Sequence, residues 1–233
     1  MSKIYVFYFF GIFFFLPRYQ YDILNDVERK NRMGKIYYIM GKSATGKDHI
    51  YRALLKDETL GLAPLILFTT RPMRRGETDG REYHFIDITF LEKMRAQGCV
   101  IEERVYQTVC GPWHYATIDD GSVDLAARSY LSIGTLESFV RLRHYYGRNR
   151  VVPLYIETDD GLRLAHALQR ERKQKEPNYP ELCRRYLADC DDFSEEKIAG
   201  AGIKKRIMNN DTLEACIQRV KEEIQQQERG SAL

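Results

Sequence analysis

Residues 36–48 have the sequence Ile36-Tyr37-Tyr38-Ile39-Met40-Gly41-Lys42-Ser43-Ala44-Thr45-Gly46-Lys47-Asp48. The apolar run before Gly41 predicts a short buried strand. After the loop, Ile50, Ala53 and Leu54 follow one another at helical spacing, which predicts a helix. The loop between them fits the pattern G-x-x-x-x-G-K. Because a glycine turn at a helix start directs backbone N–H groups and the helix dipole at one anion, the sequence predicts a phosphate-binding loop.

Every residue of this loop is a candidate ligand of a phosphoryl donor. The set comprises Gly41, Lys42, Ser43, Ala44, Thr45, Gly46, Lys47 and Asp48. Lys47 can reach the β- and γ-phosphates. Asp48 stands where Ser or Thr normally closes the pattern, and its carboxylate can hold Mg²⁺ directly or through water. Asp48 is therefore the predicted metal residue, and the alternative is that it only caps the helix.

Strand and helix patterns alternate along the rest of the chain. Strands are predicted over 64–68, 82–86, 100–106, 129–133, 151–156 and 207–208, and helices over 135–146, 160–175, 181–198 and 212–227. This alternation predicts an α/β fold with a parallel core sheet flanked by helices. Alternating polarity in 82–86 and 100–106 predicts a small antiparallel section.

Length and composition indicate one globular domain of balanced charge. The chain has 233 residues, and 36 basic against 33 acidic side chains give a net charge of +3. This charge is too small for a protein that binds nucleic acid by charge alone. The 5 cysteines are widely spaced without a C-x-x-C pair, which argues against a disulfide framework or a structural zinc site. We expect a cytoplasmic location.

The N-terminal segment differs in composition from the rest. Residues 4–16 are rich in aromatic side chains, and a helix over them would span roughly 20 Å, short of the roughly 30 Å hydrocarbon core. A polar stretch follows at 25–32, directly before Met33. We expect residues 33–233 to form the functional domain. Residues 1–32 are then an appendage from an upstream start codon or, alternatively, a membrane-surface anchor.

A second motif lies at residues 69–85, with the sequence T-T-R-P-M-R-R-G-E-T-D-G-R-E-Y-H-F. Arg71 and Arg74 can present two guanidinium forks, and Tyr83 a hydroxyl, to one phosphate. The alternative is a solvated basic loop between two strands.

This run closely resembles the signature of the guanylate kinase family, T-T-R-x-x-R-x-G-E-x-x-G-x-x-Y-x-F. It also follows the phosphate loop at the spacing typical of that family, and the resemblance extends from Lys35 to near Glu228. The resemblance implies a P-loop kinase fold with ATP as phosphoryl donor and Mg²⁺ as cofactor. It also implies a small mixed acceptor lobe over about 69–118 and a helical, arginine-bearing lid over about 165–190.

Carried over residue by residue, the resemblance assigns acceptor-side roles. The ligands of the acceptor 5′-phosphate would be Arg71, Arg74, Tyr83 and Tyr115. The guanine base would be recognised by Glu102, with the hydroxyl of Thr117 nearby.

The resemblance also implies residues around the transferring phosphate. Arg185 matches the lid arginine that contacts both phosphate chains, and the other lid arginine is Arg170 or Arg172. The predicted catalytic set is Lys47, Arg172 and Arg185. Asn210, or Asn209, resembles the asparagine near the adenine of ATP.

The chain departs from the family pattern at three places. Leu67 stands where the family usually has a guanine-contacting serine. The acidic strand end L-D-I-D is replaced by residues 131–134, Leu-Ser-Ile-Gly, so its aspartates are missing. Glu137 is a candidate substitute, or else a helix surface charge. The segment 111–113, Gly-Pro-Trp, is expected to add loop length in the acceptor lobe.

Three functions are open at this point. The leading one is Mg²⁺-assisted phosphorylation of GMP or dGMP by ATP, as part of purine nucleotide metabolism. The second is a P-loop kinase with another phosphorylated small-molecule acceptor. The third is a non-catalytic module that binds phosphorylated protein ligands, against which the retained Gly41, Gly46 and Lys47 argue. We expect small-molecule nucleotides as partners, no nucleic acid, no membrane unless residues 1–32 are an anchor, and a monomer or homodimer.

Overall fold

The structure is a computed structural model that describes residues 5–9, 12–16, 33–108 and 111–229, with side chains in the last two ranges. The strands are β1 (Tyr5–Phe9), β2 (Ile12–Leu16), β3 (Ile36–Met40), β4 (Ala63–Pro64), β5 (Phe68–Thr69), β6 (His84–Phe85), β7 (Val100–Thr108), β8 (Gly111–Ile118), β9 (Tyr130–Ile133), β10 (Val151–Glu157) and β11 (Arg206–Met208). The α-helices are α1 (Lys47–Lys56), α2 (Ile88–Ala96), α3 (Leu136–Tyr146), α4 (Asp160–Arg172), α5 (Tyr179–Asp192), α6 (Glu195–Gly200) and α7 (Leu213–Arg229).

The central sheet is parallel, with the strand order β11-β10-β3-β9-β4. Side chains of β3 alternate between two hydrophobic clusters. Ile36, Tyr38 and Met40 belong to the cluster that contains α3 and α6 side chains. Tyr37 and Ile39 belong to the cluster with α1 and α7 side chains. Helices therefore cover both faces of the sheet, which confirms the predicted α/β architecture.

A second sheet, with the order β6-β5-β8-β7, lies within the predicted acceptor lobe. Strand β8 pairs antiparallel with both β5 and β7, whereas β5 and β6 are parallel. The lobe has its own small core of Phe68, Leu91, Ala116 and Ile118. The antiparallel section predicted from 82–86 and 100–106 is therefore corrected: β6 and β7 lie at opposite edges of this mixed sheet, and β7 pairs antiparallel with β8, a strand that was not predicted.

The predicted strand at 64–68 is wrong as a single element. It consists of β4 in the central sheet and β5 in the acceptor lobe. Leu65 N–H still bonds Leu131 O of the central sheet at 2.9 Å, whereas Leu67 O accepts from His84 N–H of the lobe at 2.8 Å. The chain passes between the sheets within three residues, and an apolar run does not reveal which sheet its members join.

Two further predictions on elements are corrected. The helix predicted at 181–198 is divided into α5 and α6, because the chain turns at the buried Phe193 and Ser194 is the N-cap of α6. The segment 111–113 is the beginning of β8, not added loop, and Pro112 lies opposite Gln107 of β7. Proline is tolerated there because β8 pairs with its other neighbour, β5, only at Tyr115 and Ala116.

Strands β1 and β2 pair antiparallel with each other as a separate two-stranded sheet, from Tyr5 opposite Leu16 to Phe9 opposite Ile12. The rest of residues 1–32 lies outside the described residues. The start-codon and anchor interpretations therefore stay predictions. Among the described helices, none combines the length and apolar content needed to cross a membrane.

Candidate active site

The phosphate loop joins the carboxyl end of β3 to α1 as predicted, and two glycines permit its path. A Cβ at Gly41 would stand 2.3 Å from Ile156 O, so the β10 backbone leaves no space for a side chain. Gly46 has φ +83°, and a Cβ there would meet Asn209 Nδ2 at 2.9 Å. The close approach of the β10 backbone therefore requires glycine at position 41, and the left-handed backbone conformation favours it at position 46.

Lys47, the first residue of α1, is surrounded by charge. Burial lowers the pKa of its ammonium group, and the carboxylates of Asp48 and Asp189 oppose this effect. The guanidinium groups of Arg170 and Arg185 lower the pKa further. Two arginines of the predicted lid therefore lie within electrostatic reach of Lys47, an arrangement that suits a highly charged phosphate chain.

Asp48 is exposed in the first turn of α1. The N-cap is Gly46, and among the described residues no side chain caps this helix. The structure therefore does not support the capping alternative for Asp48. No group of three or more His, Cys, Asp or Glu side chains in the described ranges can hold a metal by itself. A single exposed carboxylate still suits Mg²⁺, which is usually held by one or two carboxylates together with phosphates and water.

An internal carboxylate lies against the phosphate loop. Asp189 of α5 accepts a hydrogen bond from Ser43 N–H at 2.8 Å and another from Arg163 Nη1 at 3.1 Å. Arg163 is 1% exposed, and its guanidinium lies 4.0 Å from the centre of the Tyr186 ring. The loop amide thus already binds an anionic oxygen. Sequence analysis missed Asp189 and Arg163, because no motif connects α5 to the loop.

The two asparagines differ in position. Asn209 Nδ2 donates to Thr45 O at 2.9 Å and so braces the loop backbone. Asn210 Oδ1 accepts from Asp159 N–H at 2.8 Å and lines a cavity of about 230 Å³ next to Lys42. Asn210 therefore lines a cavity beside the loop, whereas Asn209 supports the loop backbone, and the role of Asn210 near the donor stays a prediction.

Helix geometry distinguishes Arg170 from Arg172, the two candidates for the second predicted lid arginine. A cavity of about 140 Å³ between α4 and α5 is lined by Ser43, Arg163, Arg170, Arg185 and other residues, but not by Arg172. Residues two apart on a helix point about 200° from each other. The structure therefore places Arg170 in the cavity and not Arg172, which is exposed.

Arg71 of the second motif is only 3% exposed and already paired. Its terminal nitrogens donate to both oxygens of Glu77 at 2.9 and 2.8 Å, and Nη1 also donates to Pro72 O at 2.8 Å. These bonds raise the pKa of Arg71, chiefly through Glu77. The Tyr115 side chain also hydrogen-bonds Arg71, so most of the five N–H groups of this guanidinium are already engaged. The prediction that Arg71 presents an open guanidinium fork is therefore corrected, because Glu77 occupies both terminal nitrogens. The Arg74 side chain is exposed.

Aromatic contacts join the predicted phosphate ligands. The Arg71 guanidinium lies 5.5 Å from the centre of the Tyr83 ring. The Tyr83 and Tyr115 rings meet edge to face with centroids 5.6 Å apart. Burial raises the pKa of Tyr83, so its hydroxyl is a proton donor at neutral pH. The structure thus brings Arg71, Tyr83 and Tyr115 together.

Glu102 of β7 is 7% exposed and held at both oxygens. Thr117 Oγ1 donates to Oε1 at 2.9 Å, and Ser138 Oγ donates to Oε2 at 3.0 Å. The Nε of Arg104 lies 3.3 Å from Oε2. Sequence analysis missed Arg104, although residues two apart on a strand share a face. It also missed Ser138, which no local pattern connects to β7.

The departures from the family pattern have structural explanations. Leu67 packs against the hydrophobic cluster that contains Tyr38, so it serves the core. Glu137 is exposed at the start of α3, and its neighbour Ser138 makes the contact to Glu102. Glu137 therefore does not take the place of the missing carboxylates.

Comparisons with known proteins agree with the two motifs. Residues 33–119 match the family model described as Guanylate kinase. Proteins named guanylate kinase from Sphingopyxis alaskensis and Chromobacterium violaceum are 39% and 36% identical over 77 and 93 residues, which are 33% and 38% of this chain. The crystal structure of guanylate kinase from Anaplasma phagocytophilum superposes with a TM-score of 0.53, covering 84% of this chain and 87% of that one at 20% identity.

These matches confirm that residues 33–119 resemble the guanylate kinase family, and the structural neighbour supports the fold of the larger part of the chain. The chain spans 34% and 44% of the length of the two curated relatives. The matched segment contains the phosphate loop and the acceptor lobe. Residues after 119, which include the predicted lid, lie outside the family match.

Proposed function

We propose that the protein transfers the γ-phosphoryl group of ATP to the 5′-phosphate of GMP or dGMP, forming ADP and GDP or dGDP. The donor would bind at the phosphate loop and beside Asn210. The acceptor would bind in the lobe formed by β5 to β8. A cytoplasmic location remains part of the proposal.

The observation that carries the proposal is the buried carboxylate of Glu102 in the acceptor lobe. Guanine presents two neighbouring donors, N1–H and the 2-amino group, to such a carboxylate. Adenine has no such pair on that edge and would leave the remaining acceptor positions of the buried carboxylate unpaired, at a cost of roughly a hundredfold in specificity. The phosphate ligands Arg71, Tyr83 and Tyr115 contribute affinity for any nucleotide, and so do not select the base.

The residues present suit phosphoryl transfer, which requires positioning and charge stabilisation more than covalent chemistry. The acceptor oxygen is already anionic, so no general base is needed. Lys47, Arg170 and Arg185 would stabilise the charge on the transferring group. Asp48 would hold Mg²⁺, which when bound neutralises charge on the phosphate oxygens. Closure of the α4–α5 lid would exclude water and so prevent hydrolysis of ATP.

The proposal is tested by release of ADP from MgATP with GMP, dGMP, AMP, CMP and UMP as acceptors. We expect kcat/KM to be highest for GMP or dGMP. Equal values for AMP and GMP would overturn the choice of acceptor. Turnover with none of the five, combined with retained ATP binding, would favour the alternative of another phosphorylated small molecule.

A further inference from the structure

A chain of hydroxyl groups leads from the start of α3 to Glu102. Thr135 Oγ1 caps α3 by accepting from Ser138 N–H at 3.2 Å, and it lies 3.0 Å from Ser138 Oγ. Ser138 Oγ lies 3.0 Å from Glu102 Oε2. A hydroxyl has one hydrogen to donate, and an ionised carboxylate only accepts. Ser138 therefore donates to Glu102, and Thr135 donates to Ser138.

The hydrogen bonds from Thr117 and Ser138 leave some acceptor positions of the Glu102 carboxylate free. A carboxylate has about four acceptor positions, two on each oxygen. Thr117 occupies one on Oε1 and Ser138 occupies one on Oε2. Arg104 Nε lies 3.3 Å from Oε2 but makes no hydrogen bond to it. The terminal torsion of a glutamate is otherwise broad, so two hydroxyls on opposite oxygens fix the plane of the group. Ser138 is only 1% exposed, so solvent water has little access to the position of its hydroxyl group.

We propose that Ser138 is the positioning residue that sets the base specificity of the acceptor site by orienting Glu102. This inference rests on the proposed function. With its plane fixed, the carboxylate presents one free acceptor position on each oxygen. Two positions side by side match the two adjacent donors of guanine, and they match neither adenine nor a pyrimidine with a single donor at that edge.

The strand end cannot supply this support itself. A Cβ at Gly134 would stand 2.1 Å from the Tyr38 hydroxyl oxygen, so the buried Tyr38 excludes every side chain from that position. Gly134 and Ser132 stand at the two aspartate positions of the L-D-I-D pattern. Ser132 Oγ is buried, and it has no hydrogen-bond partner among the described residues. Support for Glu102 therefore comes from Ser138, one turn into α3.

The test compares Ser138→Ala with Ser132→Ala, because both remove the hydroxyl of a buried serine but only Ser138 bonds Glu102. The readouts are kcat/KM for GMP and for AMP, the KM for ATP, and the Tm. For Ser138→Ala we expect the GMP-to-AMP ratio to fall about tenfold with the KM for ATP unchanged. For Ser132→Ala we expect a ratio within about twofold of the unsubstituted protein. Ser138→Cys keeps the volume and a weaker donor, so it should give an intermediate ratio even if the alanine variant folds poorly.

The same substitution in the Glu102→Gln variant distinguishes a role of Ser138 in orienting Glu102 from a general role in stability. In Glu102→Gln, adding Ser138→Ala should change the ratio by less than about twofold, because the carboxylate that Ser138 orients is gone. An equal fall in both backgrounds, or equal losses for GMP and AMP, would overturn the inference. An unchanged ratio in both Ser138 variants would overturn it as well, while a preference for GMP in the unsubstituted protein would keep the proposed function. Failure of the unsubstituted protein to use GMP would overturn the proposed function, and this inference with it.

Discussion

The two halves of the candidate site hold their ligands by different means. The donor half centres on eight consecutive residues, 41–48, whose backbone N–H groups and helix start are the predicted anion site. The acceptor half is assembled from side chains of β7, β8, α3 and the loop after β5, which are held by hydrogen bonds to one another. A site made from backbone depends on a short local sequence, whereas a site made from side chains depends on distant partners.

The halves also differ in how their charges are balanced. Around the phosphate loop, the guanidinium groups of Arg170 and Arg185 lower the pKa of Lys47, and the carboxylates of Asp48 and Asp189 oppose this effect. In the acceptor lobe, Arg71 is paired with Glu77, and Glu102 lies beside Arg104. The donor half therefore places three cations beside two carboxylates, while the charged side chains of the acceptor half are paired with one another. Substitutions should accordingly reduce rate in the first half and selectivity in the second.

The largest effect is expected from Lys47→Ala, which removes the cation at the transferring phosphate. We expect kcat to fall about a thousandfold with little change in Tm, because the side chain stabilises charge and not the core. ADP release at saturating MgATP and GMP measures this. Lys56→Ala, at the exposed end of the same helix, is the control and should retain activity. A fall of less than about tenfold in Lys47→Ala would break the distinction between the halves.

Glu102→Gln should change selectivity more than rate. We expect the GMP-to-AMP ratio of kcat/KM to fall about a hundredfold, because an amide offers guanine one acceptor in place of two. Glu103→Gln is the matched control, since Glu103 is the next residue and bonds Arg95 and His114 instead. If both variants keep the ratio, base choice does not depend on Glu102.

Asp48→Ala should raise the Mg²⁺ concentration for half-maximal activity about tenfold, because it removes an oxygen ligand near the phosphates. Asp48→Ser, which restores the hydroxyl usual at that position, should recover most of the loss. A titration of activity with Mg²⁺ at fixed ATP measures both, with Glu58→Ala as the control for a nearby exposed carboxylate. Behaviour like the unsubstituted protein at limiting Mg²⁺ would assign Asp48 no metal role.

The smallest effect is expected from Asp189→Asn. Asp189 competes with phosphate for Ser43 N–H, and an uncharged amide competes less well. We expect the KM for ATP to fall about threefold with kcat almost unchanged. Asp191→Asn on the same helix is the control, because Asp191 is exposed and pairs with Lys197. A rise in the KM for ATP would instead mean that Asp189 supports the nucleotide-bound state.

Sequence patterns predicted the elements that local rules control. The apolar run at 36–40 is β3, and the glycine loop with its following helix is where the pattern put it. The division of 64–68 between two sheets was not predictable, because strand propensity is the same in both. The break between α5 and α6 at Phe193 was also missed, since the apolar spacing continues through it.

By itself, the sequence determined the phosphate loop, the second motif and the α/β architecture, because each depends on residues close together along the chain. Only the tertiary structure placed Arg170 and not Arg172 beside the loop, and Asp189 on Ser43. It alone brought Ser138 to Glu102 across 36 positions. Such contacts depend on which helix face meets which strand, and packing of the whole domain decides that.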